Sequence, residues 1–170
     1  MQQAERGPLL IAGIVTGVGV GGFFDGIVFH QLFQWHHMLT SHGDYPMNTV
    51  PGLEVNTTWD GIFHSITWIA VVAGIAMLWR LERKYDTRWS LPLLGAILMG
   101  WGGFNLIEGV IDHQILGIHH VRDDLGGPLE WDLGFLAWGA ASLIFGWLLA
   151  RHREGRPVAA RQTAAPRPSR

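Results

Sequence analysis

Four apolar runs constrain this chain more than any other feature of its 170 residues. The stretch 9–29 is apolar except for Asp25, and 61–79 contains no Asp, Glu, Lys or Arg. The stretch 91–111 is interrupted by Glu108, and 133–150 carries no charge. Each is close to the roughly 20 helical residues that cross a hydrocarbon core. Backbone in lipid must satisfy its own N–H and C=O groups, so runs of this kind fold as helices. Composition agrees: 15% of residues are charged, against about a quarter in ordinary soluble domains. The expected fold is an all-α integral membrane protein, a four-helix transmembrane bundle within residues 1–150.

The connections read as follows. Residues 38–58 are a polar loop, with Thr57 or Thr58 as the cap of the second span. Residues 80–88 are a short charged turn, and 121–130 are a loop around Gly126-Gly127-Pro128. Residues 151–170, rich in Arg, Ala and Pro, read as a disordered basic tail. The first span has a weak charged flank and no A-x-A site after it, so it reads as a retained helix rather than a cleaved signal. Its Gly13, Gly17 and Gly21 lie four apart, a pattern that lets a neighbouring helix approach closely. Eleven of the twelve Lys and Arg residues fall before the first span, in the 80–88 turn or in the tail, and only Arg122 lies in the other loops. By the rule that basic flanks stay inside, both termini should face the cytoplasm.

Two segments repeat one pattern. Shifted by 83 positions, GGFFDGIVFHQLFQWHH (21–37) places Asp25 on Glu108, His30-Gln31 on His113-Gln114, and His36-His37 on His119-His120. Trp59-Asp60 and Trp131-Asp132 precede the second and fourth spans in the same way, although His64 is matched by Leu136. The chain therefore reads as two parallel two-helix repeats, 9–79 and 91–150, related by an axis along the membrane normal. If the first and third helices continue past the membrane, Asp25 and His36 fall on one helical line and His30 and His37 on another. Glu108, Asp112 and His119 then share a line, as do His113 and His120.

Carboxylates with imidazoles are a ligand set for divalent transition metals. A lone histidine at a span end is ordinarily an interfacial or hydrogen-bonded residue, and a lone acid can pair with an amide. Repetition shifts the balance, because an ionised acid inside the hydrocarbon costs about 2.5–3.5 kcal/mol even on the lenient insertion scale. Two acids at matched positions call for a cationic or proton-donating partner. The candidate metal ligands are Asp25, His30, His64, Glu108 and His113, converging between the helices, with His36, His37, His119 and His120 above them at the outer mouth. Asp60, Asp112, Asp132, Gln31 and Gln114 are candidate supporting residues. Asp60 and Asp132, taken singly, read better as helix caps. The expected ion is Zn or Cu ahead of Fe, and with no Cys in the chain a thiolate site is excluded.

The strings GFFDGIVFHQLFQWHH and EGVIDHQILGIHH resemble a family of small bacterial four-span membrane proteins of unknown function. The resemblance extends over nearly all of 9–150 and implies a bacterial inner-membrane location, with no established activity. The functional reading is thus metal handling or metal-dependent redox chemistry at the outer end of the bundle. The alternatives are a membrane di-iron oxygenase, a b-type haem protein using His30, His64 or His113, a proton- or ion-conducting protein, and a structural or assembly partner without chemistry. The expected partners are the lipid bilayer and either a second copy or a membrane complex, with no nucleic acid. Whether the His-His pairs are helical or lie in loops is open at this level.

Overall fold

A computed structural model describes residues 3–85 and 90–152. The expected disordered tail falls almost wholly outside this range. Among the described residues, four helices are long and apolar enough to cross a membrane. They are α1 (Gln3–Asp25), α2 (Val50–Tyr85), α3 (Leu91–Glu108) and α4 (Leu129–Ala150). α1 and α3 form the central pair, with α2 flanking α1 and α4 flanking α3. The Arg6 guanidinium hydrogen-bonds to the Ala150 carbonyl, so the start of α1 and the end of α4 lie at one end of the bundle.

Small residues make the central contact. A Cβ on Gly17 would run into the Ile97 carbonyl, and one on Gly100 into the Ile14 carbonyl. Gly13 sits against Ala96 in the same seam. In lipid, where apolar side chains gain little by leaving the solvent, close backbone packing of this kind holds helices together. Large apolar side chains point outward instead, Ile66, Trp68 and Trp79 among them.

Three boundaries differ from the sequence reading. α2 runs on to Tyr85, through most of the charged turn expected over 80–88, of which 86–88 lie outside the described residues. The loop expected over 38–58 ends early, because α2 starts at Val50. Thr49, not Thr57 or Thr58, caps it by accepting from the Gly52 N–H. Pro51 suits a first helical turn, where its missing N–H costs nothing. α4 likewise starts four residues before the apolar run, directly after Pro128.

A fourth difference shapes the site. α1 and α3 do not run on as α-helix past the acids. Each widens into a π-helical turn, Gly26–Leu32 and Gly109–Ile115. The Phe33 N–H reaches back to the Val28 carbonyl, and the Leu116 N–H to the Ile111 carbonyl. Each chain then reverses through a left-handed residue, Gln34 (φ 50°) and Gly117 (φ 56°). The continuous helical lines through His36 and His119 are therefore replaced by two short loops that fold back over the bundle.

Candidate metal centre

Those loops return the His-His pairs to the helices. His36 is 1% exposed and His119 0%, and their rings stack in parallel with centroids 4.8 Å apart. They sit beside His30 and His113, on the widened turns, with centroids 4.4 Å apart for His30 and His36 and 4.8 Å for His113 and His119. Asp25 and Glu108, both nearly fully buried, close the inner side. Three groups bring ligand atoms within 4.8 Å of one another: His30, His36 and His119; Glu108, His113 and His119; Asp25, His30 and Glu108.

The loops cross to make this enclosure. His36 Nδ1 donates to the Val121 carbonyl at 3.0 Å, and His119 Nδ1 faces the Met38 carbonyl at 3.3 Å. The Ser41 N–H donates to the Ile118 carbonyl, and the Asp124 N–H to the Trp35 carbonyl. Each contact has its counterpart 83 positions along. Arg122 lies over the loops, its guanidinium 4.4 Å from the Trp35 ring centroid and 5.0 Å from that of Trp131. Asn56 is fully buried and anchors the first loop by accepting from the Leu39 N–H and donating to the Tyr45 carbonyl. Nothing in the sequence reading singled out Asn56.

Asp60 and Asp132 do not cap helices, contrary to the simpler sequence reading. Asp60 stands inside α2, and both are 1% exposed. Asp60 accepts from His30 Nδ1 at 2.9 Å, from His37 Nδ1, from the Gln31 amide at 3.1 Å and from the Met38 N–H at 3.0 Å. Asp132 accepts from His120 Nδ1 at 2.7 Å, the Gln114 amide at 3.2 Å and the Val121 N–H at 2.9 Å. It lies 3.4 Å from His113 Nδ1. A carboxylate buried at this depth needs such donors. The recurring Trp-Asp pair was the sequence signal for both, and the matched amides of Gln31 and Gln114 donate to them.

These contacts set the imidazole tautomers. A carbonyl or carboxylate oxygen can only accept, so each Nδ1 bonded to one carries a proton, and in the neutral ring Nε2 is then the lone pair. The Nε2 atoms of His30, His36, His113 and His119 are buried without a hydrogen-bond partner. His30 Nε2 lies 3.1 Å from Asp25 Oδ2, out of line for a hydrogen bond. Burial, with the neighbouring imidazoles His119, His30 and His113, pushes His36 well below its ordinary pKa. Burial, with His113 and His30, does the same to His119. Both rings are therefore neutral, as ligation requires.

Four candidates stand elsewhere. His37 and His120 are held at the flanks by Asp60 and Asp132 rather than above the centre. His64 does not join the cluster: its Nδ1 donates to the Asp60 carbonyl one turn back, and its ring lies edge-on to Phe23. Its i, i+4 relation to Asp60 thus reaches the backbone rather than the carboxylate. Asp112 is half-buried beside the centre and belongs to none of the three groups.

Comparison with known proteins adds a family and no activity. No match was found among curated proteins or among solved structures. The chain matches the family described as "Predicted membrane protein (DUF2243)" over residues 12–153, most of its length, and it belongs to that family.

Proposed function

We propose that this protein binds a divalent transition metal at the His30, His36, His113, His119, Asp25 and Glu108 cluster. One observation carries the reading: four buried imidazoles leave Nε2 without a partner among the described residues, and in three of them, His30, His36 and His119, Nδ1 is hydrogen-bonded to an oxygen acceptor. Burying lone pairs unmatched is costly, and imidazoles steadied through the other nitrogen by carboxylate or carbonyl are the usual support of metal sites. The all-nitrogen-and-oxygen set favours Zn or Cu ahead of Fe. We place the cluster at the outer face of a bacterial inner membrane with both termini cytoplasmic. The shared end of Arg6 and Ala150 and the distribution of basic residues support that orientation. The paired contacts 83 positions apart support two parallel repeats.

Elemental analysis of the detergent-purified protein, beside His113→Ala and Glu108→Gln, tests the site. Stoichiometric metal in the wild type and its loss from both variants is expected. A wild type that holds none after reconstitution, or variants that keep all of it, would overturn the assignment. A second reading is favoured by His30, which stands between Asp25 and Asp60 at 3.1 and 2.9 Å: a proton relay in which that imidazole passes charge between carboxylates. Such a relay works in metal-free protein, whereas the metal reading predicts that chelation abolishes activity.

A further inference from the structure

Where α1 and α4 stand on either side of α3, they leave a groove of about 580 Å³. That lies within the roughly 300–1,000 Å³ of small-molecule sites. Its walls are mostly aromatic, with Phe24, Trp101, Trp131 and Trp138 among them. Phe24, Trp131 and Trp138 are exposed at the helix surface, where the bilayer would lie. Its lining also includes three polar side chains: Asp25 and Asn105, each 3% exposed, and the exposed Glu130. Asp25 Oδ2 is turned to His30 Nε2 at 3.1 Å and belongs to the metal centre, which leaves the Asn105 amide as the buried polar group of the groove.

The matching place on the other side of the bundle is filled. Shifted by 83, Gly21 of the groove corresponds to Phe104, and Asn105 to Gly22. The Phe104 ring closes over Gly22 and packs on Phe63 at 6.0 Å. Of these two matching places, the one beside α4 is open and holds the polar amide.

A lipid tail could lie against the aromatic walls, but it would leave the amide unmatched in a dry site, at a cost. A flat ring bearing carbonyl groups would stack on the indoles. It would also meet the amide, whose NH2 group donates to a carbonyl. We propose that this groove binds the ring of a membrane-dissolved quinone, one ring oxygen accepting from the Asn105 amide and its tail toward the bilayer. The proposal concerns binding and holds whether or not the metal centre is loaded.

Gly134 makes the test clean. It lines the groove, and a Cβ there would meet nothing within 4 Å, so Gly134→Leu fills space without a clash. Gly103 is equally open but lies outside the groove, which makes Gly103→Leu the control. Decylubiquinone titrated into the purified full-length chain should quench tryptophan fluorescence saturably. Gly134→Leu and Asn105→Leu should each weaken binding at least tenfold, and Gly103→Leu should bind as the wild type does. Quenching that never saturates, or equal binding by Gly134→Leu, would overturn the proposal. So would displacement of the quinone by decane at the same concentration, which would make the groove a slot for acyl chains.

Discussion

Asp60 and Asp132 hold the two inner histidines at different distances, 2.9 Å for His30 and 3.4 Å for His113. The acids behind them differ too. Asp25 lies 3.1 Å from His30 in its own half, whereas Glu108, one methylene longer, passes His113 and comes within 3.7 Å of His119. His30 is thus confined between two carboxylates, while both nitrogens of His113 lack a hydrogen bond. The same chain pattern gives a stiff side and an adaptable side. A metal arriving at the second side displaces less, so His113, His119 and Glu108 should take it first, and the first side then completes the shell.

The comparison can be broken in several ways. The largest expected effect follows from removing a hub. Asp60→Ala strands the Met38 N–H and three side-chain donors, and breaking a buried charged network costs about 3–5 kcal/mol. Asp132→Ala should cost less, since its grip on His113 is looser. Thermal melts of the two variants in one detergent check this, and equal losses would remove the stiff-versus-adaptable distinction.

Metal binding should divide the same way. His119 enters two of the three ligand groups and His36 one, so His119→Ala should leave no stoichiometric metal while His36→Ala retains a weakened site. His37→Ala and His120→Ala, which touch only the supporting carboxylates, should weaken affinity about 10–100-fold, as loss of outer partners does. Competition with a chromophoric chelator measures all four. Identical results for His36→Ala and His119→Ala would mean that the centre is loaded symmetrically.

A smaller effect is expected from pH in metal-free protein. The pKa values of His36 and His119 lie below the ordinary 6.5 in the folded state. Below about pH 6.5 the unfolded chain therefore binds more protons at these positions, and their contribution to stability falls as pH drops from there. Melting temperature should decline from pH 7 to pH 5, and His36→Gln should make that decline shallower. An unchanged slope would show that the ring is not held neutral.

The smallest effect concerns the two reversals. Gln34 and Gly117 share a left-handed conformation, which costs a residue with a Cβ about 1–2 kcal/mol. Glycine returns part of that gain as backbone entropy. Gln34→Gly should stabilise the first loop by about 0.5–1 kcal/mol, and Gly117→Gln should destabilise the second by a similar amount. Denaturant or thermal midpoints of the two variants should shift in opposite directions.

Taken alone, the sequence determined that four helices cross a membrane, because runs of that length and hydropathy have no other way to satisfy their backbone in lipid. It also pointed to Asp25, His30, Glu108 and His113, because ionisable groups in such runs need partners and these recur at one spacing. It pointed to His36 and His119 as well, but by a route the structure does not use, a helix continued past the membrane. Tertiary structure decided the rest. The π-turns and the reversals at Gln34 and Gly117 fold each His-His pair inward, and His36 finds the Val121 carbonyl 85 positions away. Helical periodicity relates residues within a few turns and is blind to a contact at that separation. For the same reason Asp60 looked like a cap and His64 like a ligand: which face of α2 meets α1 is settled by helix packing, and that packing sends the Asp60 carboxylate to His30 and leaves His64 against Phe23.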